Sequence, residues 1–416
     1  MDYRADKMVM ELCTVNMTNR KYFYSQLELP ASDGAIYDSL QKVRATDRNA
    51  EMEISVINSP YLPELADTLI DGINIQELNL LSEKLEELYR DDYDSLEKLN
   101  ALFLYRKEHG FYEDGVSLEE ILNMCYGMEN VDRYAGIEKM QDLGEMLIAK
   151  RMTDGIIEVT DQNACYLDRI QVAQTRMSQK KGLFYGGSYY ETADFKMPNV
   201  YKSDEQPKKD YKQLKSAFRL FVMFKNHDKE WLDLPIDKND LETICQKHGQ
   251  ENLESCRVMC IETAIPQISR ELFYKTGNFA KLNAVAKAFM AMSEKQRMTF
   301  KAVLQAEKIS DLDEVIETAK NISDYELEPN AYAEPDFFQA YLMHFLDGRF
   351  DMKWLYDTLC DTADQMLLKQ LNAKFSEYGI VSGKNQPLYR IVPFDEPDDS
   401  DEMDCEETNK MNLGGF

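Results

Sequence analysis

Leu27-Glu28-Leu29-Pro30 returns 205 residues later as Leu232-Asp233-Leu234-Pro235, each time after an aromatic-rich run and before a short helical pattern. The correspondence continues on both sides of the Pro. Ile36 and Leu40 fall opposite Leu241 and Cys245, and Ile54 and Ile57 opposite Val258 and Ile261, with Pro63 and Pro266 following. Ile75, Leu78, Leu81, Leu85 and Leu88 then pair with Phe279, Leu282, Val285, Phe289 and Met292 at a constant spacing of 204. Those are one-face positions of an amphipathic helix. Leu118-x-x-Ile121-Leu122 recurs as Leu312-x-x-Val315-Ile316, and Asp154-Gly155 as Asp347-Gly348. A period of roughly 200 residues is far too long for a solenoid repeat. The simplest account is one module written twice.

Within each copy the hydrophobic period changes from two to about 3.6 residues, which predicts an α+β class. Val9, Leu12, Val15, Phe23, Leu27 and Leu29 suggest two strands around the polar turn Asn16 to Lys21. A short helix opens at Ser32 or Asp33 and a third strand runs from Met52 to Ile57. Helices follow at Asp71 to Tyr89, Leu96 to His109 and Ser117 to Tyr126, the last with Ser117 and Glu120 in capping-box spacing. The expected architecture is therefore two tandem copies of a small antiparallel sheet domain followed by an acidic helical bundle, elongated overall.

The expected divisions are a first sheet domain over 1–70 and a first bundle over 71–178, with 134–178 mostly helical. A hairpin from Gly182 to Tyr201 and a Lys-rich linker fill 179–216. The second sheet domain covers 217–268, with a strand from Phe218 to Phe224. A second bundle over 269–394 has helices to about Phe375 and a closing strand at Leu388 to Phe394. An acidic, disordered tail covers 395–416, where residues 395–407 hold nine acids and no base.

Composition narrows function mostly by exclusion. The chain has 416 residues, 44% hydrophobic, and 75 acids against 48 bases for a formal net charge of −27. Such a surface repels nucleic acid and anionic lipid and attracts basic protein surfaces. The N-terminal residues lack the pattern of a signal peptide and no run reaches the ~18 apolar residues of a membrane span, so a cytoplasmic location is expected. Eight cysteines include no C-x-x-C pair, and Cys256 and Cys260 have no nearby His, which argues against zinc. The four histidines, His109, His227, His248 and His344, are dispersed. Gly186-Gly187-Ser188-Tyr189-Tyr190 lacks the final Gly of a nucleophile elbow, and Gly383-Lys384-Asn385 is no P-loop. No pocket joining a His or Cys to a carboxylate is expected, so the reading is a protein without catalysis, cofactor or metal.

What remains is the placement of the acids. Residues 64–97 carry Glu64, Asp67, Asp71, Glu77, Glu83, Glu86, Glu87, Asp91, Asp92, Asp94 and Glu97 against only Lys84 and Arg90. Residues 307–336 form a second cluster, from which Glu307, Glu317, Asp324, Glu326 and Glu328 are the candidate contact residues. The apolar stripe turns Glu77, Glu83, Glu86 and Glu87 outward, yet the second copy has Lys281, Lys287, Met290 and Ala291 there. Folding therefore does not require those acids. A protein with carboxylates at a density comparable to phosphates can occupy a basic groove that otherwise holds DNA.

Ile75-Gln76-Glu77-Leu78-Asn79-Leu80-Leu81-Ser82-Glu83-Lys84-Leu85, Leu118-Glu119-Glu120-Ile121-Leu122-Asn123-Met124 and Trp231-Leu232-Asp233-Leu234-Pro235 carry a resemblance. In these passages the chain resembles antirestriction proteins of the ArdA type, especially long forms from mobile genetic elements of Gram-positive bacteria. The resemblance implies a catalytically inert DNA mimic that fills the DNA-binding groove of a type I restriction–modification enzyme or a similar defence complex. It also implies an elongated chain of small domains. Family members are often dimeric; here two fused units leave monomer or homodimer open. The partner is then a protein with a basic groove, with no direct nucleic acid and no membrane. An acidic scaffold or regulatory protein of a mobile element, working through its tail, is the alternative.

Overall fold

Residues 8–16 alternate Met8, Met10, Leu12 and Thr14, all buried, with half-covered Val9, Glu11, Cys13 and Val15, which is the period of a strand with one face on a core. The structure, a computed structural model, describes residues 7–16, 21–45, 50–70, 72–153, 157–276, 278–329, 368–369 and 372–383. Asp71, both Asp-Gly pairs, the closing strand expected at Leu388 to Phe394 and the acidic tail lie outside them.

In chain order the first elements are β1 (Met8–Asn16), β2 (Lys21–Leu29), α1 (Asp33–Lys42) and β3 (Ala50–Asn58). Then come α2 (Ile75–Asp91), α3 (Tyr93–Glu108), α4 (Leu118–Met124), β4 (Asp132–Ala135), α5 (Met140–Ala149), α6 (Arg169–Lys180), β5 (Gly182–Tyr185) and β6 (Ser188–Glu191). Further on lie β7 (Phe218–Met223), β8 (Lys229–Leu234), α7 (Lys238–Lys247), β9 (Arg257–Thr263), α8 (Arg270–Thr276), α9 (Phe279–Ala291), α10 (Glu294–Ala306) and α11 (Leu312–Lys320). β10 (Tyr325–Glu328), β11 (Ala373–Ser376) and β12 (Gly379–Gly383) complete the described chain. The protein is mixed α+β, built on small antiparallel sheets of three strands.

Two compact units emerge: Met1–Ala31 with Ala45–Lys212, and Ser32–Arg44 with Gln213–Phe416. In the first unit β1 lies between β2 and β3, and a second sheet runs β4-β6-β5. In the second unit β7 lies between β8 and β9, and the other sheet runs β10-β12-β11. Both Leu29-Pro30 and Leu234-Pro235 are cis.

Helix starts follow local chemistry. Asn74 caps α2 through Gln76 N–H, Asp92 caps α3 through Ser95 N–H, and Ser117 caps α4 through Glu120 N–H. Helix α2 therefore begins at Ile75, four residues after Asp71, where the Asn74 side chain can satisfy one of its first free N–H groups. Its stripe, Ile75, Leu78, Leu81, Leu85 and Leu88, is buried, each residue contributing ~1.5–3 kcal/mol of transfer free energy. The corresponding Phe279, Leu282, Val285 and Phe289 of α9 share one core with Phe218 and Leu220 of β7 and Leu312 and Val315 of α11.

Three departures from the expected layout have physical reasons. Among the described residues of 134–178, α-helix is confined to α5 and α6, whose Leu143, Leu147, Val172 and Ala173 pack with Tyr189 of β6. The hairpin expected after Gly182 turns at Gly186-Gly187, both at positive φ as a tight two-residue turn requires, but it also takes β4 as a third strand. Ala373–Ser376, expected to end a helix, is a strand paired with β12.

Helix α1, expected on the first sheet, groups with the second unit. Tyr37 enters that unit's core, and the fully buried Lys301 ammonium pairs with the Asp38 carboxylate, which also accepts from Tyr378 Oη at 2.6 Å. Lys42 adds a second cation to Asp38 at 3.1 Å. Opposite charges buried this way hold only because each is met by a partner.

Candidate functional site

The stripe of α2 fixes which way its acids point. Glu83, Glu87 and Asp91 are exposed and follow one another at i, i+4 and i+8, one turn apart on a single line; Glu86 flanks them, partly covered. Glu87 pairs with Lys84 at 2.9 Å, and Glu83 accepts from Asn79 Nδ2 at 3.3 Å. Among the described residues no cation pairs with Glu86, Asp91 or the exposed Asp67.

Glu77 is different. It is partly covered and accepts from Tyr201 Oη at 3.4 Å; burial first, and then the Glu77 charge, push the Tyr201 phenol up to about 12. Tyr201, expected at the end of the hairpin, leads into the Lys-rich linker, and both are stitched to the first unit. Asn123 brackets it by donating to Tyr201 O at 2.8 Å and accepting the Val200 and Tyr201 N–H groups. Ser203 N–H donates to Glu119 at 2.9 Å and holds that carboxyl below its ordinary range, while Gln76 binds Pro207 O and Lys209 N–H.

Several acids of the first cluster are already engaged. Glu64 takes Lys107 at 2.5 Å, and Asp92 is spent as the α3 cap, accepting from both the N–H and the hydroxyl of Ser95. Asp94 meets Lys98 and Arg133, each at 2.9 Å, and Glu97 also pairs with Arg133. Partial burial opposes ionisation of Asp94, but the hydrogen bonds from Arg133 and Lys98 outweigh it and hold its pKa below the usual carboxylate value. An open groove between the α2–α3 junction and residues 125–129 after α4 is lined by Glu87, Asp91, Asp92, Asp94 and Glu129, with Lys84 and Lys98 among them.

The second cluster divides similarly. Glu317 on α11 is exposed, and Glu326 and Glu328 face outward on β10 to either side of buried Leu327. Asp324 is half-buried. Glu307 corrects the expectation: it is 8% exposed at the C-cap of α10, with Tyr325 Oη 3.4 Å from its carboxylate, so it is no surface acid. The sequence placed it at the end of an amphipathic helix without showing that β10 would fold over it.

One histidine meets two carboxylates. His248, at the end of α7, sits between Asp228 Oδ2 at 3.2 Å and Glu230 Oε2 at 2.9 Å, its ring stacked on Phe224 at 3.7 Å. Both ring nitrogens are occupied and its side chain is 5% exposed, which leaves no nitrogen for a substrate. Burial pushes the Cys125 thiol up to about 12 and the Cys256 thiol to about 11, so neither supplies a thiolate near neutral pH. Among the described residues no cluster of His, Cys, Asp and Glu is placed to hold a metal, and no helix is long and apolar enough to cross a membrane. The arrangement offers electrostatic contact: a row of carboxylates on a helix whose other face is core. The chain matches no protein-family model and no curated protein.

Proposed function

We propose that this chain is an antirestriction protein of the ArdA type, a non-catalytic DNA mimic that occupies the DNA-binding groove of a type I restriction–modification enzyme or a similar defence complex. The observation that carries the reading is the acidic row of α2. From Glu83 to Asp91 the helix advances ~12 Å at ~1.5 Å per residue and presents four carboxylates, a spacing close to the one phosphate per ~3.4 Å of a DNA strand. Glu326 and Glu328, two residues apart on a strand and hence ~7 Å apart, extend the same chemistry in the second unit. The Lys84–Glu87 pair exchanges for a cation of the target. Glu64, Asp92, Asp94 and Glu97 contribute field rather than direct contact, because their carboxylates are engaged within the chain.

Tandem duplication is part of the same proposal. It is supported by the matching strand orders of the two units and by a shared side-chain clamp. Asn79 accepts Ala31 N–H at 2.7 Å and donates to Ala31 O at 3.1 Å; Asn283 does the same to Ile236 at 2.8 and 2.9 Å. Under this reading the fold was kept while the α2 face was made acidic and the α9 face was not.

The test is protection of unmodified DNA from cleavage. Neutralising the row together (Glu83→Gln, Glu86→Gln, Glu87→Gln, Asp91→Asn) is expected to leave folding intact and to weaken inhibition tenfold or more, each exposed pair supplying only ~0–1 kcal/mol. A folded variant that protects as well as the parent contradicts the assignment of this face. An acidic scaffold would ignore the change.

A further inference from the structure

Phe218, Leu220 and Val222 of β7 are buried, so Arg219, Phe221 and Met223 form the outward side of sheet β8-β7-β9. The strand register lays three rows across that side: Asp233–Arg219–Glu262, Trp231–Phe221–Cys260 and Lys229–Met223–Arg257. The first row closes on itself, with Arg219 3.6 Å from Asp233 and 3.8 Å from Glu262. In the second the Phe221 and Trp231 ring centroids are 5.1 Å apart, and Trp231 stays 36% exposed. The third has an exposed cation at each end, and exposed Lys225, in the turn between β7 and β8, adds another. Asp228 of that turn is taken by Asn226 and His248. Among the described residues no carboxylate pairs with Lys225, Lys229 or Arg257.

An acidic chain repels an acidic segment over most of its surface, so a row of cations beside apolar rings is where such a segment comes to rest. The chain holds a segment of that chemistry outside the described residues. Asp395 to Glu407 carries nine acids and no base, and Met411, Leu413 and Phe416 follow. Acids followed by apolar side chains match a cation row followed by a ring row. The stretch from Gly383, where β12 ends, to Asp395 reaches up to ~40 Å, about the width of a folded unit of this size. Such a tether holds the segment at roughly millimolar effective concentration, above that of a free acidic partner.

We propose that residues 395–416 dock on the outward side of β8-β7-β9, their acids on Lys225, Lys229 and Arg257 and their apolar side chains over Met223, Phe221 and Trp231. Docking covers the exposed rings and keeps the tail's acids from other partners. Surface and segment both belong to the second unit, and the proposal does not depend on the mimicry reading.

Two thiols native to the chain report the contact: Cys260, exposed in the ring row, and Cys405, among the tail's acids. The intact chain, dilute and at low salt, is treated with a short bis-maleimide and digested, and its linked peptides are quantified by mass spectrometry. Cys405 is expected to link to Cys260 about fivefold or more over Cys165, an exposed thiol of the first unit. Salt at about 0.5 M should erase that preference, because the contact is ionic. Lys229→Glu with Arg257→Glu should erase it as well, whereas Lys238→Glu with Lys295→Glu, at exposed positions elsewhere in the unit, should keep it. Should the first variant fail to fold by circular dichroism, the salt series on the parent decides alone. Equal linking of Cys405 to Cys260 and Cys165, or a preference indifferent to salt, overturns the proposal. So does a Cys260–Cys405 link found only between chains, because the tail of a second copy then covers this side. Neutralising the α2 row should leave the link unchanged, which separates this contact from the proposed mimicry.

Discussion

Asn79 and Asn283 act as short pieces of sheet edge, each side chain supplying the acceptor and the donor that one backbone residue needs where the chain leaves a strand for a helix. Replacing either by Ala leaves an N–H and a C=O half-buried without partners, and should cost ~1–3 kcal/mol in urea unfolding, with similar losses for the two. A loss at only one site would break the equivalence of the two clamps. Both asparagines follow the stripe residues Leu78 and Leu282 at the same spacing of 204, so a polar identity shared at that spacing was the available signal. A reading confined to apolar positions passes over it. Lys301 gave no such signal, because the carboxylate that justifies its burial lies 263 positions away. Asp38→Ala should destabilise more than Lys301→Met, the loss for Asp38→Ala falling near ~3–5 kcal/mol. The first change strands a fully buried cation; the second leaves Asp38 with Lys42 and Tyr378.

Helix α2 keeps its shape through its stripe and its Asn74 cap, so its outward acids are a surface added to a finished element. Neutralising Glu83, Glu86, Glu87 and Asp91 should change stability by no more than about 1 kcal/mol, and relief of like-charge contacts one turn apart could make the helix slightly more stable. Thermal unfolding of that variant measures this directly. Glu119 carries a pH signature on the neighbouring α4. The Ser203 N–H bond, opposed by slight desolvation, places its folded pKa below the ordinary 4.5. The unfolded chain therefore binds more protons in that interval. The stabilisation is complete above the ordinary value and is lost as pH falls through the folded pKa. Glu119→Gln should lower the plateau in urea midpoint above pH 4.5 and leave the acid end little changed, so that the fall between them is flatter. At this scale the strands of the first sheet, α2 to α4 and the elements at matching spacing in the second unit were legible, because the strands alternate cleanly and the helices have a clean period and a cap. The sheet β4-β6-β5 was not. Asp-Arg-Tyr-Ala at β4 has no alternation to read, and its partners lie about 50 residues on.

At the scale of the whole molecule the formal charge of −27 is a reservoir that the fold distributes unevenly. Arg133 and Lys107 neutralise acids 39 and 43 positions away, pairs that local sequence cannot reveal, so the candidate face narrows to Asp67, Glu83, Glu86, Glu87 and Asp91 in the first unit. Under the proposed reading what survives acts through summed charge, and binding to a basic groove should weaken with salt in the way DNA binding does. The most direct measurement is the affinity of the intact chain for a type I restriction–modification enzyme across a salt series, with duplex DNA as competitor. The account predicts that the logarithm of the association constant falls steeply and linearly with the logarithm of salt concentration, that duplex DNA displaces the protein, and that neutralising the α2 row makes the slope shallower. Binding indifferent to salt, or a ternary complex in which enzyme, DNA and this protein coexist, would contradict it.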